Sequence, residues 1–190
     1  MHIAIEGLDG AGKTQTAIKL ASKLGYQFIE KPLHYLTDSS TYNFSNYMEI
    51  TSKVNTQMDK RFKARFYGLG NLYVANLAKE KNIITDRHIV SNYYWNNEDD
   101  EEYFDRLISD CGKPDITFVL YVEAAERKRR IIGRNEMDPD LKRNVFSNEP
   151  YEQIKSFLID HDMRYELVDA TNISLDEVVS YIYGRVKEMY

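Results

Sequence analysis

Three glycines and a lysine at fixed spacing near the start of the chain could bind phosphate groups. Residues 7–14 read GLDGAGKT and match the pattern G-x-x-x-x-G-K-[ST], between a predicted strand and a predicted helix. The glycines let successive backbone N–H groups turn toward phosphate oxygens, and the helix that follows adds the positive end of its dipole. We therefore predict a nucleotide-binding loop made of Gly7, Gly10, Ala11, Gly12, Lys13, Thr14 and Gln15.

The loop also carries two side chains with defined chemistry. Lys13 can reach the β- and γ-phosphates, and the Thr14 hydroxyl can ligate Mg²⁺. The chain has no N-K-x-D segment for guanine and no D-x-x-G after the second predicted strand, which argues against a switch GTPase. A motor or helicase would usually need more than 190 residues. Phosphoryl transfer to a small acceptor remains, and it needs a carboxylate near Mg²⁺, cations for the acceptor and a cationic lid.

An acid and a base follow the predicted strand at 82–85, at the start of the stretch DRHIVSNYYWN. Ligands gather at the C-terminal ends of the strands in a parallel sheet. We predict that Asp86 lies near Mg²⁺, or accepts a proton, and that Arg87 binds an anionic acceptor. The alternative is a surface ion pair, which would contribute little to stability.

Five cations fall between residues 127 and 134. On a helix Arg127, Arg130 and Arg134 would share one stripe, which could deliver guanidinium groups to the transferred phosphoryl group. For Arg127, Lys128 and Arg129 we expect a solvated basic face. For Arg130 and Arg134, nearest the predicted lid, a catalytic role and a solvated face are equal alternatives.

The elements that must position these residues alternate along the chain. Apolar runs predict strands at 2–6, 26–30, 82–85, 116–122 and 165–169, and helical patterns cover 12–25, 58–81, 124–134 and 174–190. Strands that are apolar throughout, separated by helices, indicate a parallel sheet covered on both faces. We predict an α/β fold: a single P-loop kinase domain over residues 1–190, with a five-stranded parallel sheet and a short arginine-bearing lid at about 134–148. Ser174 and Glu177 have the spacing of a capping box.

Composition limits the possible partners. The net charge of −5 argues against a nucleic-acid partner, which needs a basic surface. The single cysteine excludes an internal disulfide and fits a reducing compartment. The N-terminus lacks a signal-peptide pattern, and no run of 18 apolar residues occurs, so we expect a cytoplasmic protein with no membrane partner.

In this order and spacing the motifs resemble the thymidylate kinase family, P-loop nucleoside monophosphate kinases that phosphorylate dTMP with ATP. EGLDGAGKT is similar to that family's phosphate loop, including the Asp9–Gly10 pair, and DRHIVSNYYWN is similar without gaps to its Asp–Arg–Tyr stretch. VLYVEAAERKRRIIGR fits its strand and lid helix, and VDATNISLDEVV its last strand and helix. The resemblance covers most of the chain.

The resemblance implies ATP with Mg²⁺ as cofactors, small-molecule nucleotide substrates and specific roles for side chains. Asp9 would bind the acceptor's 3′-hydroxyl, Arg87 its phosphate, and Asp86 would help with magnesium; a turn-capping role is the alternative for Asp9. Arg130 or Arg134 would stabilise the phosphoryl group in transfer. The loop that contacts adenine would be Ala170, Thr171 and Asn172.

The acceptor region departs from the family's pattern. Where the family has Arg–Glu–Pro–Gly followed by Gly–Thr, this chain reads EKPLHYLTDSS and keeps only the proline. Arg65 stands where the family has an arginine directed at the base; Arg61 replaces the stacking phenylalanine, for which Phe62 or Phe66 could substitute. Ser91 would begin a helix that walls the pocket, and the family's Ala–Tyr–Gln is replaced. The predicted acceptor site is Asp9, Pro32, Phe62, Arg65, Phe66, Arg87, Ser91, Tyr94, Trp95 and Asn96.

Two other functions remain open. A deoxynucleoside kinase also has an Asp/Glu–Arg–Ser stretch and needs an acidic base, for which Glu30 is the candidate. A nucleotide-binding regulatory module without catalysis is the second, although it would have little need for charged lid residues. The helix over 58–81 is more apolar than one face requires, so a homodimer through it and plain core packing are equal alternatives.

Overall fold

One sheet organises the chain. The computed structural model describes residues 1–38, 43–138, 141 and 146–189. Its strands are β1 (His2–Gly7), β2 (Gln27–Ile29), β3 (Ile83–Asp86), β4 (Ile116–Tyr121) and β5 (Tyr165–Asp169). They pair in the order β2-β3-β1-β4-β5, and every pair is parallel. The predicted five-stranded parallel sheet is confirmed.

The described part of the chain also contains helices on both sides of the sheet. They are α1 (Lys13–Leu24), α2 (His34–Thr37), α3 (Ser45–Gln57), α4 (Lys60–Ala78), α5 (Ile89–Asn96), α6 (Glu101–Cys111), α7 (Ala124–Arg134), α8 (Pro150–Asp160) and α9 (Leu175–Lys187). The helix predicted at 124–134 is present with the predicted ends, and those predicted at 12–25, 58–81 and 174–190 are present with shifted ends. Over the described ranges, none of them combines the length and apolar character needed to cross a membrane.

Two apolar clusters fix the sheet from its two faces. On one face Ile5 and Leu120 pack with Leu20 of α1 and with residues of α9. On the other, Val119 packs with side chains of α5, α6 and α8, among them Phe157. Full burial of each such side chain stabilises the fold by about 1.5–3 kcal/mol. The strand ends that carry polar residues are therefore held in a rigid frame.

The register of β1 and β3 sets the geometry of the site. Ile5 is paired with Asp86, and the N–H of Arg87 donates to the carbonyl of Ile5 at 3.0 Å. The phosphate loop after β1 and the Asp–Arg pair after β3 therefore leave the sheet side by side. This neighbourhood follows from parallel pairing of the two central strands.

Two of the described helices, α4 and α9, begin with side-chain caps. The Ser174 hydroxyl accepts from the N–H of Glu177, and the Glu177 carboxylate accepts from the N–H of Ser174 at 2.8 Å, so the predicted capping box is confirmed. Asp59 caps α4 by accepting from the N–H of Phe62 at 2.7 Å.

Phe62 and Leu69 of α4 are 49% and 56% exposed. A homodimer through this helix stays a prediction.

A buried histidine beside β3 makes stability depend on pH. The Nε2 of His2 lies 3.0 Å from the Thr85 hydroxyl, and the imidazole is 5% exposed. Burial, and secondarily the charge of the N-terminus, lowers the pKa of His2 to about 4. The unfolded chain, with a pKa near 6.5, binds the proton first as pH falls, so stability is lost between these values.

As the pH falls from 7 to 5, preferential protonation of His2 in the unfolded chain should lower the free energy of unfolding by about 2 kcal/mol. Denaturant unfolding of the wild type and of His2→Gln at both pH values measures this contribution. Titrating groups remote from His2 remain in both proteins and cancel in the comparison. The variant should lose less stability than the wild type by that amount. Equal losses would contradict the assignment of the proton to His2.

Candidate active site

The phosphate loop between β1 and α1 depends on its glycines. Gly7, Gly10 and Gly12 have φ of 136°, 84° and 93°, which L side chains rarely adopt. A Cβ at Gly7 would lie 2.6 Å from the Leu120 carbonyl oxygen, and one at Gly10 would lie 2.7 Å from that of Arg127. Two of the three glycines are therefore needed both for the turn and for close packing against β4 and α7.

Lys13, the first residue of α1, points into this loop. Its side chain is buried; the ammonium donates to the Leu8 carbonyl at 2.9 Å and lies 3.9 Å from the Asp9 carboxylate. Burial, aided by the charge of Arg87, lowers the pKa of Lys13 to about 8, although Asp9 and Asp86 act in the opposite direction. An ammonium has three donors, so Lys13 can bond phosphate oxygens as well as its own loop.

Thr14 and Asp86 meet across the end of the sheet. The Thr14 hydroxyl donates to Asp86 Oδ2, while Asp86 Oδ1 is buried with no hydrogen-bond partner among the described residues. Hydroxyl and carboxylate oxygens are the ligands that Mg²⁺ takes in nucleotide sites, where substrate phosphates complete its shell. No group of three or more His, Cys, Asp or Glu residues in the described ranges forms a metal cluster. The pair fits an ion that binds together with a nucleotide.

Arg87 and Asp9 form an ion pair next to this position. The Arg87 guanidinium donates to Asp9 Oδ1, and the residue has a φ of 71°. Burial disfavours the charged guanidinium, but the carboxylates of Asp9 and Asp86 outweigh it and raise the pKa of Arg87. The predicted Asp9, Lys13, Asp86 and Arg87 thus lie together in one charged cluster.

A cavity of about 700 Å³ opens from this cluster. Among its walls are six of the ten predicted acceptor residues: Asp9, Pro32, Arg87, Ser91, Trp95 and Asn96. The helix that contains Ser91 begins two residues earlier than predicted, at Ile89. The cavity is large enough for a nucleotide, and its floor is shared with the phosphate loop through Asp9, Thr14 and Asp86.

The other four predicted acceptor residues lie outside the cavity lining. Arg65 donates to Asp100 at 2.8 Å and covers the ring of Tyr103 at 4.4 Å. Phe66 packs edge-on against the ring of Tyr67, and Phe62 is half exposed. The face of α4 that lines the cavity is instead Lys60, Lys63, Tyr67, Gly70, Asn71 and Val74. These positions recur at three and four residues, so 62, 65 and 66 fall on other faces. Tyr94 packs edge-on against the ring of Trp95.

The structure adds a wall that the sequence did not indicate. Helix α3 contributes Tyr47, Asn55 and Thr56 to the cavity, and the Tyr67 hydroxyl donates to Asn55 at 2.9 Å. Glu30, the candidate base named from the sequence, lines the cavity beside Lys31 just after β2. The signal for α3 is weak, because only Tyr47, Thr51 and Val54 of its thirteen residues are buried.

Three buried asparagines form a chain along the cavity. Asn92 Nδ2 donates to the Ala64 carbonyl at 2.9 Å and to Asn71 Oδ1 at 3.3 Å, and Asn96 Nδ2 donates to Asn92 Oδ1 at 3.0 Å. Because the Ala64 carbonyl can only accept, the direction of the chain is fixed. Asn71 Nδ2 remains a donor and Asn96 Oδ1 an acceptor for a ligand. The sequence predicted only Asn96.

Helix α7 contacts the segment that follows β5. Arg130 donates to the carbonyls of Ala170 and Thr171 at 2.7 and 3.1 Å, and to Glu126 at 2.8 Å. The predicted lid helix and adenine loop are therefore in contact. Arg134 pairs with Asp138. Of the predicted lid at 134–148, residues 139, 140 and 142–145 lie outside the described residues. Of the residues predicted to bind ATP, Gln15 and Asn172 are exposed.

The expectation of a solvated face was wrong for Arg127. Its side chain is 1% exposed and donates to the carbonyls of Val122 and Ser147 at 3.1 and 2.6 Å. It precedes the buried Ile131 by four residues and shares its helix face, so carbonyl groups rather than water satisfy the guanidinium. Lys128 and Arg129 are exposed, as expected.

The site combines a glycine-rich loop between the central parallel strand and a helix, Lys13 inside this loop, and a Thr14–Asp86 pair beside it. These features define a P-loop nucleotide-binding protein of the kinase type. The comparison with protein families is then specific: the model described as thymidylate kinase matches residues 5–182. The chain belongs to the thymidylate kinase family and is a nucleotide kinase.

Relatives of this chain carry two different names. A probable thymidylate kinase of Methanocaldococcus jannaschii is 24% identical over 196 residues, covering 100% of this chain and 97% of the relative. A cytidylate kinase of Mycoplasmopsis synoviae is 25% identical over 219 residues and covers 98% of each. A structure of deoxyadenosine kinase from M. mycoides, with dCMP and a flexible dCDP, has a TM-score of 0.62 at 23% identity, over 99% of this chain and 100% of that one. The structural likeness shows a shared fold.

Proposed function

We propose that this protein transfers the γ-phosphoryl group of ATP to the phosphate of a deoxynucleoside monophosphate, with dTMP as the leading acceptor. The observation that carries the proposal is the position of Arg87. Its guanidinium lies between Asp9 of the phosphate loop and a nucleotide-sized cavity. A cation at that boundary suits an acceptor that already carries a phosphate.

In this account the protein acts through position and charge. Backbone N–H groups of the loop and Lys13 hold the donor phosphates, and Arg87 orients the acceptor phosphate for in-line attack. Thr14 and Asp86 would hold Mg²⁺, which neutralises charge on the transferred group. The acceptor oxygen is already anionic, so no general base is required. Arg130, on the carbonyls of the loop at 170–171, would close the donor side.

The asparagine chain bears on the acceptor base. The acceptor at Asn96 and the donor at Asn71 are available to hydrogen-bond polar groups of an acceptor base. Thymine offers N3–H next to a carbonyl, and cytosine offers an amine next to N3. Membership of the thymidylate kinase family favours thymine. Arg65 lies outside the cavity lining, and one relative is named a cytidylate kinase, so cytosine is tested as the alternative base.

An acceptor panel tests the proposal. ADP release is measured at fixed ATP and Mg²⁺ with dTMP, dUMP, dCMP, dGMP and the matching nucleosides. We expect the highest kcat/KM for dTMP or dCMP, and little activity with any nucleoside. Activity confined to nucleosides would refute the proposal, and no activity with any acceptor would favour a regulatory nucleotide-binding module.

Deoxynucleoside kinase activity is the second candidate, because Glu30 lines the cavity where a base for a sugar hydroxyl would be needed. The Lys31 ammonium donates to this carboxylate at 2.9 Å, so the carboxylate already has a charged partner on its own chain. We therefore expect Glu30→Gln to change turnover of the preferred monophosphate by less than about threefold, since a general base would be worth about 10²–10⁴-fold. Steady-state kinetics give the answer. A loss of 100-fold or more, about the size of a general-base effect, would favour a nucleoside acceptor.

A further inference from the structure

Glu6 is a buried acid that takes no part in the proposed phosphoryl transfer. It is the fifth residue of the six in β1, directly before Gly7, and only 1% of its surface is exposed. A buried carboxylate is costly unless hydrogen bonds compensate it. Its contacts therefore show which part of the structure it serves.

The donors to Glu6 all come from the start of α5. Its Oε1 accepts from the N–H of His88 at 2.6 Å and from the N–H of Ser91 at 3.3 Å, and its Oε2 accepts from the Ser91 hydroxyl at 2.5 Å. His88 is the residue at which α5 is capped. The carboxylate thus caps this helix from the neighbouring strand, where the helix dipole also favours a negative charge.

The residue just before these donors is strained. Arg87 has a φ of 71°, a left-handed conformation that costs a residue with a side chain on the order of 1–3 kcal/mol and persists only where the surroundings impose it. Its N–H is held by the Ile5 carbonyl, and the next N–H, of His88, is held by Glu6. Two consecutive residues of β1, Ile5 and Glu6, therefore accept hydrogen bonds from two consecutive N–H groups of the turn. In this conformation the Arg87 guanidinium donates to Asp9.

We propose that Glu6 is a positioning residue for the acceptor phosphate: its carboxylate holds the turn between β3 and α5 in the strained conformation that directs Arg87 into the cavity. The inference rests on the proposed role of Arg87 and deepens it. It also links the two substrate sites, because Glu6 immediately precedes the phosphate loop.

Glu6→Gln is the direct test. The amide keeps the shape of the side chain, but its NH₂ group meets N–H and O–H donors where an oxygen accepted. We expect the Kd for dTMP to rise about tenfold, the effect of one hydrogen bond to a charged group, with little change for thymidine or ATP. Isothermal titration of the three ligands measures this.

Two further variants separate positioning from general destabilisation. Ser91→Ala removes only the hydroxyl donor and should show the same pattern at a smaller size, so it carries the test if Glu6→Gln does not fold. Glu177→Gln is a matched control, since Glu177 also accepts from a serine N–H and hydroxyl at a helix start but lies outside the cavity lining. It should leave the Kd for dTMP unchanged.

The Arg87→Ala background separates a failure of this inference from a failure of the proposed function. In the background of Arg87→Ala, Glu6→Gln should add little to the loss of dTMP binding, because both act through one contact. Additive losses, or equal losses for dTMP, thymidine and ATP, would show a merely structural Glu6 and overturn the inference. If Arg87→Ala alone weakens dTMP and thymidine equally, the proposed function fails instead.

Discussion

Replacing Lys13 with alanine should lower kcat by at least about 100-fold, the loss typical of removing one electrostatic donor from a transition state. Its ammonium is buried inside the phosphate loop and lies 3.9 Å from Asp9, and a water that entered the space left in the variant would not replace its positive charge. The nearby carboxylates of Asp9 and Asp86 would then repel the donor phosphates without the compensating charge of Lys13, although Arg87 stays paired with Asp9. Single-turnover kinetics at saturating ATP measure the effect on transfer itself.

Lys19→Ala is the matched control for this change. Lys19 is on the same helix, and its ammonium pairs with Asp176 on the surface. Exposed pairs contribute roughly 0–1 kcal/mol to stability, and this one is remote from the loop, so the control should keep its turnover. A Lys13→Ala enzyme with near-normal turnover would contradict the assignment of the phosphate loop.

Arg87→Ala should reduce turnover of the preferred monophosphate at least about 100-fold. The guanidinium borders both the phosphate loop and the cavity, and its removal leaves Asp9 and Asp86 facing the acceptor phosphate. Because a nucleoside has no phosphate to lose contact with, its binding should change far less. Titration of the monophosphate and its nucleoside against wild type and variant measures the difference.

Arg106→Ala controls for the loss of an arginine. Arg106 lies on α6 and pairs with Glu102 at the surface, with 72% of its side chain exposed. Its replacement should leave both affinities unchanged. Equal weakening of monophosphate and nucleoside by Arg87→Ala would show that Arg87 supports the cavity wall rather than the phosphate.

Local sequence patterns were sufficient for the frame of this protein. The strand, glycine loop and helix at 2–24 follow from spacing, and the position of Asp86 follows because parallel strands end at one edge. The family match over 5–182 agrees with that frame. That residues 1–190 form a single domain stays a prediction.

The cavity wall could not be predicted in the same way. Whether Arg65 or Asn71 faces the cavity depends on the rotation of α4 about its axis, which tertiary packing decides. Arg127 is buried because the Val122 and Ser147 carbonyls happen to surround it. The bonds from Glu6 to His88 and Ser91 span more than 80 residues and leave no local pattern.

The proposed function requires an acceptor that carries a phosphate. The most direct measurement incubates the enzyme with ATP, Mg²⁺ and an equimolar mixture of dTMP, dCMP, thymidine and deoxycytidine, and resolves the products by chromatography and ³¹P NMR. We expect a deoxynucleoside diphosphate and ADP to accumulate together while both nucleosides persist. Consumption of a nucleoside without formation of any diphosphate would contradict it.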